Sequence, residues 1–389
     1  MPNKTIVFCA DGTWNGPGEV DAAAHEAEAT NVYKLFLDLA GDDEPDTTRL
    51  SDEQERTQRD AGGRVLQAAK YIHGVGDSRN FLVRIMGGAL GSGVITRIVR
   101  GYTFVSRSYE PGDAIVLVGF SRGAYTARAL GAFIAARGLL DRTRYPLDDK
   151  PTAYRLGVAA WYAHRRDALE HCKRGDWLAQ LQARVIDLPA FVLRPPEALV
   201  PAPVHAIAVW DTVGALGIPD FNRDAERLDA FQFCDRTLNP AVAHGVHAVS
   251  LDERRADFTP TLWDKDERIV QAIFPGAHSD VGGGYAESGL SDGALEWMTA
   301  RLAALGVRFA ASPTVTPIPN PTDVAHQPWL TPPFDAFGKT APRSFSGSLG
   351  LSEHRSVGAR VGGGDVAVLP PGSSGPYRPA NRPPGLPIV

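Results

Sequence analysis

The chain has 389 residues, 43% of them hydrophobic and 22% charged, with a formal net charge of -5 and only three cysteines. It carries no basic excess and no Lys/Arg-rich run, so there is no electrostatic case for nucleic acid; Cys9, Cys172 and Cys234 also lie too far apart for a disulfide framework or a zinc site. No window approaches the roughly 18 apolar residues of a membrane span, and the first ten residues are too short an apolar run for a signal peptide, so synthesis in a reducing cytoplasm is expected, with export by a signal-independent secretion system left open.

In chain order, Thr5 to Ala10 (T-I-V-F-C-A) reads as a first buried strand running into Asp11-Gly12-Thr13. A D-G-T turn after a strand invites the phosphatase motif D-x-D-G-T, but Cys9 stands where that motif needs its nucleophilic aspartate. The turn's remaining readings are a source of backbone N–H groups for an oxyanion and an Asx-type loop cap. Glu19 to Arg59 reads as acidic surface loop, apart from helical spacing over Val32 to Leu39. A strand around Ala69 to Ile72 then enters a glycine turn, on which His73 reads as a loop histidine. Phe81 to Gly93 is glycine-rich and reads as close packing beside a site rather than lipid contact, and Val94 to Tyr109 resumes a helical pattern.

The chain turns on Asp113 to Arg128, D-A-I-V-L-V-G-F-S-R-G-A-Y-T-A-R. Ala114 to Val118 is an unbroken apolar run, Gly119 to Gly123 fits G-x-S-x-G, and Ala124 to Ala136 is a good helix former. A strand passing into a helix through so tight a bend strains its central residue, and glycines two before and two after keep the backbones apart. Ser121 is thereby held out at the carboxyl edge of the sheet; a helix-capping serine is the plainer alternative.

An insertion at about 138–202 follows, with helical spacing over Ala153 to His171 and Trp177 to Val185, and reads as a cap over the pocket. Val204 to Trp210 is another buried strand and ends in Asp211; His247 to Leu251 reads as a further strand, and Asp252 to Arg255 as an internal salt-bridge network. Arg268 to Phe274 is the last strand of the pattern and opens into the loop Pro275 to Tyr285, which holds His278 and Asp280. Ser291 to Gly306 forms a closing helix. The expected organisation is a catalytic domain over 1–310 and a Pro/Gly-rich segment over 311–389: fifteen of the 30 prolines fall after Ser312, which argues for extended irregular chain. Phe334, Phe337, Phe345, Leu349 and Leu351 should pack its first half onto the domain.

A serine of ordinary pKa needs a neighbouring base, which in turn needs an orienting acid. Ser121, Asp211 and His278 come in the chain order of the α/β-hydrolases, with Asp280 as rival acid. His205 inside a strand, His244 and His247 flanking a turn, and His354 in the irregular tail read as structural. The oxyanion donors would be the Arg122 N–H and one from the Gly12-Thr13 turn, with Asp11 and Asp280 in support, and Arg122 or Arg128 could meet a phosphate or a protein carboxylate. This reading takes an ester, in a lipid or a smaller soluble molecule, or an acyl thioester, through an acyl-enzyme, and calls for no cofactor and no metal. Two other classes compete: a metal-dependent phosphatase ligating through Asp11, Asp211, His278 and Asp280, and a non-catalytic scaffold.

Six segments together resemble a known family: F-C-A-D-G-T-W-N (Phe8 to Asn15), H-G-V-G (His73 to Gly76), Gly112 to Arg128, V-W-D-T-V-G (Val209 to Gly214), S-L-D-E-R-R-A-D-F-T-P-T-L-W (Ser250 to Trp263) and F-P-G-A-H-S-D-V-G-G-G-Y (Phe274 to Tyr285). The family is one of bacterial and fungal α/β-hydrolases, long known only as a domain of unknown function, and includes the catalytic domain of the first family of type VI secretion lipase effectors. The resemblance spans about residues 4–306, with a weaker echo in E-H-R-S-V-G-A-R near the carboxyl end. It implies an α/β-hydrolase fold and a lipase or phospholipase with Ser121, Asp211 and His278 at the triad positions. It also implies transient contact with a lipid surface, and an immunity or secretion partner that the sequence leaves unnamed. The effectors generally carry a further membrane-anchoring module, for which this chain offers only the 138–202 insertion and the tail.

Overall fold

The computed structural model describes residues 3–12, 29–44, 53–74, 91–171, 194–213, 236–332, 334–337, 340–345 and 349–389. Thr13, Cys172, Cys234, the expected helix over Trp177 to Val185 and most of Phe81 to Gly93 lie outside the described residues.

In β1 (Thr5–Ala10), Ile6, Phe8 and Ala10 join one core while Val7 and Cys9 join the other. A strand buried on both faces has no reason to alternate with polar residues. The other strands are β2 (Asp42–Asp43), β3 (Glu53–Arg59), β4 (Val65–Ile72), β5 (Ala114–Phe120), β6 (Leu139–Leu140), β7 (Leu199–Val200), β8 (Val204–Trp210), β9 (Val242–Ser250), β10 (Ile269–Phe274), β11 (Ala325–His326), β12 (Leu351–Glu353), β13 (Asp365–Leu369) and β14 (Ser373–Pro376). Nine of them form one sheet in the order β12-β10-β9-β8-β5-β1-β4-β3-β2. From β12 to β4 every neighbouring pair is parallel; β3 and β2 add antiparallel at one edge. The pair β6/β7 and the three strands β11-β13-β14 form two smaller sheets.

The helices flanking the sheet are α1 (Asn31–Asp38), α2 (Gly91–Ser108), α3 (Arg122–Arg137), α4 (Lys150–His171), α5 (His278–Gly282), α6 (Gly289–Ala304) and α7 (Arg355–Gly362). Ile98, Tyr102, Leu130, Phe133 and Trp161 put α2, α3 and α4 into the core that contains Ile6 and Phe8. Val32, Leu35, Leu295 and Met298 put α1 and α6 into the opposite one.

Five expectations are corrected. Glu53–Arg59, expected to be loop, is strand β3. Its carboxylates pair with cations of the neighbouring elements: Glu53 with Lys70 and Arg100, Glu55 with Lys70 and Arg107. His244 and His247 lie within β9 rather than flanking a turn, and His278 opens the one-turn helix α5 rather than sitting in plain loop. The described helix of the insertion packs against α2 and α3, with Trp161 fully buried edge-on against Phe133 at 5.3 Å, so it belongs to a helical layer. Finally, the segment after residue 311 is not irregular throughout. It supplies β12 to the main sheet, α7, a third core through Leu349, Leu351 and Val357, and a hydrogen bond from Tyr377 Oη to Asp252 Oδ2 at 2.8 Å.

Candidate active site

Register decides which residues meet at the carboxyl edge. Ala10 is level with Gly119, and Phe120 with Trp210 and, through it, Ala248. The ladder continues one step further, with Asp11 N donating to Ile72 O, Ser121 N to Trp210 O and Asp211 N to Ala248 O. Asp11, Ser121 and Asp211 therefore leave the sheet side by side, at the edge where ligands of parallel sheets are bound.

Ser121 has φ 59 and ψ -123, a conformation that costs a non-glycine residue roughly 1–3 kcal/mol. The glycines around it serve close approach. A Cβ on Gly123 would lie 2.0 Å from Ala10 O, and one on Gly119 would lie 2.4 Å from Gly123 O. Helix α3 begins at the next residue, and Ser121 makes no side-chain cap bond to it, so the capping alternative does not describe this serine. A positive φ recurs at Asp211 (φ 37). The backbone just after it is held by His247, whose Nε2 accepts the Thr212 N–H at 3.2 Å while its Nδ1 faces Gln271 Oε1 at 3.2 Å. Burial pushes the His247 pKa down to about 3, so its imidazole is neutral.

Asp211 Oδ2 lies 2.5 Å from His278 Nδ1, and both side chains are buried. Asp211 Oδ1 also accepts the Ser250 N–H at 3.0 Å. A residue that sequence reasoning missed completes the set. Arg343 forks onto the same carboxylate, Nη1 to Oδ1 at 2.6 Å and Nη2 to Oδ2 at 2.8 Å. Burial alone would raise the Asp211 pKa, but the Arg343 charge and the bonds from His278 and Arg343 hold it well below the ordinary range. Burial lowers the His278 pKa from the usual value, against the opposing pull of Asp211. His278 Nε2 is buried with no hydrogen-bond partner, so it and Ser121 Oγ are not bonded to each other in this state. The imidazole lies between the rings of Phe120 at 4.5 Å and Phe258 at 5.0 Å. Its backbone N–H donates to Glu253 Oε2 at 3.2 Å, and Glu253 pairs with Arg255 at 2.7 Å, the internal network expected for Asp252 to Arg255.

The remaining expected residues separate. Asp11 is fully buried: Oδ1 accepts the Gly12 N–H at 2.6 Å, and Oδ2 accepts Thr30 Oγ1 at 2.8 Å and Tyr71 Oη at 2.5 Å. Burial raises the Asp11 pKa to about 6, moderated by those bonds. The carboxylate thus holds the turn, and Gly12 sits close enough that a Cβ on it would lie 3.3 Å from Ser121 Cβ. The Gly12 N–H of the expected oxyanion turn is thus engaged by Asp11, and Thr13 lies outside the described residues. Asp280 bonds Ala277 N and His326, at 2.6 Å to its Nδ1, and steadies α5 and the tail; Asp211, not Asp280, meets the Nδ1 of His278. Arg128 donates to Thr261 O and lies 4.3 Å over the Trp263 ring, while burial and the nearby Arg97 charge lower the Arg122 pKa to about 9. The four residues of the metal reading are not gathered into one set: the carboxylates of Asp11 and Asp280 serve separate hydrogen-bond groups. No group of three metal-ligating side chains occurs among the described residues.

Fold and site together define an α/β protein whose polar cluster gathers at the carboxyl edge of a large, mostly parallel sheet. Residues 4–301 match the family described as T6SS, phospholipase effector Tle1-like, catalytic domain, and the chain belongs to that family. The uncharacterized protein YEL023C of Saccharomyces cerevisiae is 26% identical over 260 residues, covering 66% of this chain and 32% of the yeast protein. Among solved structures, an uncharacterized protein from Pseudomonas aeruginosa has 18% identity and a TM-score of 0.39 over 79% of this chain and 46% of its own. A Tle1 effector bound to the VgrG spike has 17% identity and a TM-score of 0.35 over 73% of this chain and 51% of its own. The chain thus spans about a third of the curated relative and about half of each solved chain. Among the described residues, no helix is long and apolar enough to cross a membrane.

Proposed function

We propose that the protein is an α/β-hydrolase that cleaves carboxylic esters of glycerophospholipids through a Ser121–His278–Asp211 triad. The observation that carries this reading is the buried Asp211–His278 pair, 2.5 Å apart, at the same sheet edge as a serine held at φ 59. His278 Nε2 takes the Ser121 proton, the alkoxide attacks the ester carbonyl, and the alcohol leaves with that proton. The oxyanion is met by the Arg122 N–H and by the Gly12-Thr13 turn, each donor worth on the order of 10²- to 10³-fold in rate. Water then releases the fatty acid by the same steps in reverse order. The missing Ser121–His278 hydrogen bond accords with catalytic hydrogen bonds that form only around substrate.

The deciding test is fatty-acid release from mixed glycerophospholipid vesicles, beside hydrolysis of a short-chain soluble ester, with and without chelator. Release from vesicles that chelator leaves unchanged is expected. Cleavage of the soluble ester alone would make the enzyme a small-substrate esterase, and loss of activity with chelator would revive the metal-dependent reading.

The pH dependence has a definite sign. The base works as neutral imidazole, and burial favours that form in His278. The acid limb of kcat/KM should therefore have its midpoint below the roughly 6.5 of a free imidazole. A midpoint above about 7 in a pH–rate profile would remove His278 as the buried base.

A further inference from the structure

We propose that Arg343, from the segment beyond the family match, is a positioning residue of the hydrolytic site that fixes Asp211 and sets the charge felt by His278. The inference rests on the triad reading above and extends it. Arg343 is 7% exposed, and its guanidinium is the bidentate partner of the Asp211 carboxylate. The same group donates from Nη1 to Ser250 O at 2.7 Å and from Nη2 to Phe258 O at 2.6 Å. Ser250 closes β9, and the Phe258 ring is one wall of the His278 site. One side chain therefore ties the acid, the end of its neighbouring strand and the wall against the base.

The strap that carries it is itself laced down. Ala341 N donates to Arg254 O, and Asn381 Nδ2 bridges Leu251 O at 2.9 Å and Arg343 O at 3.3 Å. Family membership is carried by residues 4–301, so the clamp on the acid comes from outside the matched stretch.

The electrostatic consequence follows from Coulomb's law in a dry site. The charged groups around His278 are Asp211, Glu253 and Arg255, with Asp280 on its own helix; Arg343 acts on it through Asp211. With Arg343 present, part of the Asp211 charge is balanced, the imidazolium is less favoured and His278 stays neutral to lower pH. A guanidinium fork also fixes the carboxylate plane, which an ammonium cannot do.

The test compares the full chain with Arg343→Gln and Arg343→Lys, using kcat, KM and the acid limb on a soluble ester, with circular dichroism to certify folding. Folded Arg343→Gln should lose roughly 10²-fold in kcat at little change in KM, as expected for a partner that orients a reacting group, and its acid limb should move to higher pH. Arg343→Lys keeps the charge but not the fork, so kcat should fall while the limb stays. If Arg343→Gln does not fold, Arg343→Lys decides alone: wild-type kcat overturns the proposal, and a fall in kcat with an unmoved limb supports it. Folded Arg343→Gln with wild-type kcat and an unmoved limb also overturns it. Failure of the triad reading has a different signature, activity that survives Ser121→Ala.

Discussion

Ser121→Ala is expected to lower kcat for ester hydrolysis by about 10⁵- to 10⁶-fold, with KM for a soluble ester little changed. Alanine removes the proposed nucleophile but keeps the Cβ, so packing against Gly12 and the strained turn stay as they are. What remains should be the roughly 10³- to 10⁴-fold advantage over water that binding and oxyanion donors give without a nucleophile. Single-turnover release of a chromogenic alcohol would read the loss directly. Retention of even a tenth of wild-type activity would exclude Ser121 as the attacking group.

The second large effect belongs to Asp211→Asn, and it is double. The amide no longer holds the His278 tautomer as a carboxylate does, and kcat should fall by about 10⁴-fold. Arg343 is at the same time left buried without its counter-ion, a change that typically costs about 3–5 kcal/mol. The pH sign is fixed as well. The Asp211 pKa is lowered on folding, so its contribution to stability is present above the ordinary aspartate value and is lost as pH falls through the native one. Denaturant melts of the two proteins should therefore differ most near neutrality and converge in acid. Asp280→Asn is the control: its carboxylate serves Ala277 and His326, so kcat should stay within about tenfold of wild type. A 10⁴-fold loss there would reassign the acid.

What could be read in the amino-acid order follows from where each signal originates. β1, β5, β8 and β10 are legible because strands covered on both faces are mostly apolar, and the glycines of G-x-S-x-G because a Cβ there would lie 2.0 and 2.4 Å from backbone oxygens. β3 has no such mark. Its sequence E-Q-E-R-T-Q-R places charge against charge across the edge, with Lys70 lying between Glu53 and Glu55, and reads locally as solvated loop. The start of β9 is masked by His244 and Gly245, which resemble turn residues until their parallel neighbours are known.

Arg343 carries even less local signal. It follows a proline in a stretch without periodicity, and its partner Asp211 is 132 residues away in sequence. Glycine spacing and strand ends could locate Ser121, Asp211 and His278, since each stands where a buried strand opens into a turn. No comparable landmark precedes the arginine, and only the return of the tail to the sheet brings it in.

That return also finishes the sheet. Among the described residues one border strand, β2, is two exposed aspartates long, and the other, β12, spans three residues whose far side is met by the last residues of the chain, Glu353 N donating to Pro387 O and Val389 N to Glu353 O. Long bare borders are what let one sheet recruit another, and short, charged or covered ones deny a foreign strand its template. Trimming residues 387–389 would bare the far side of β12.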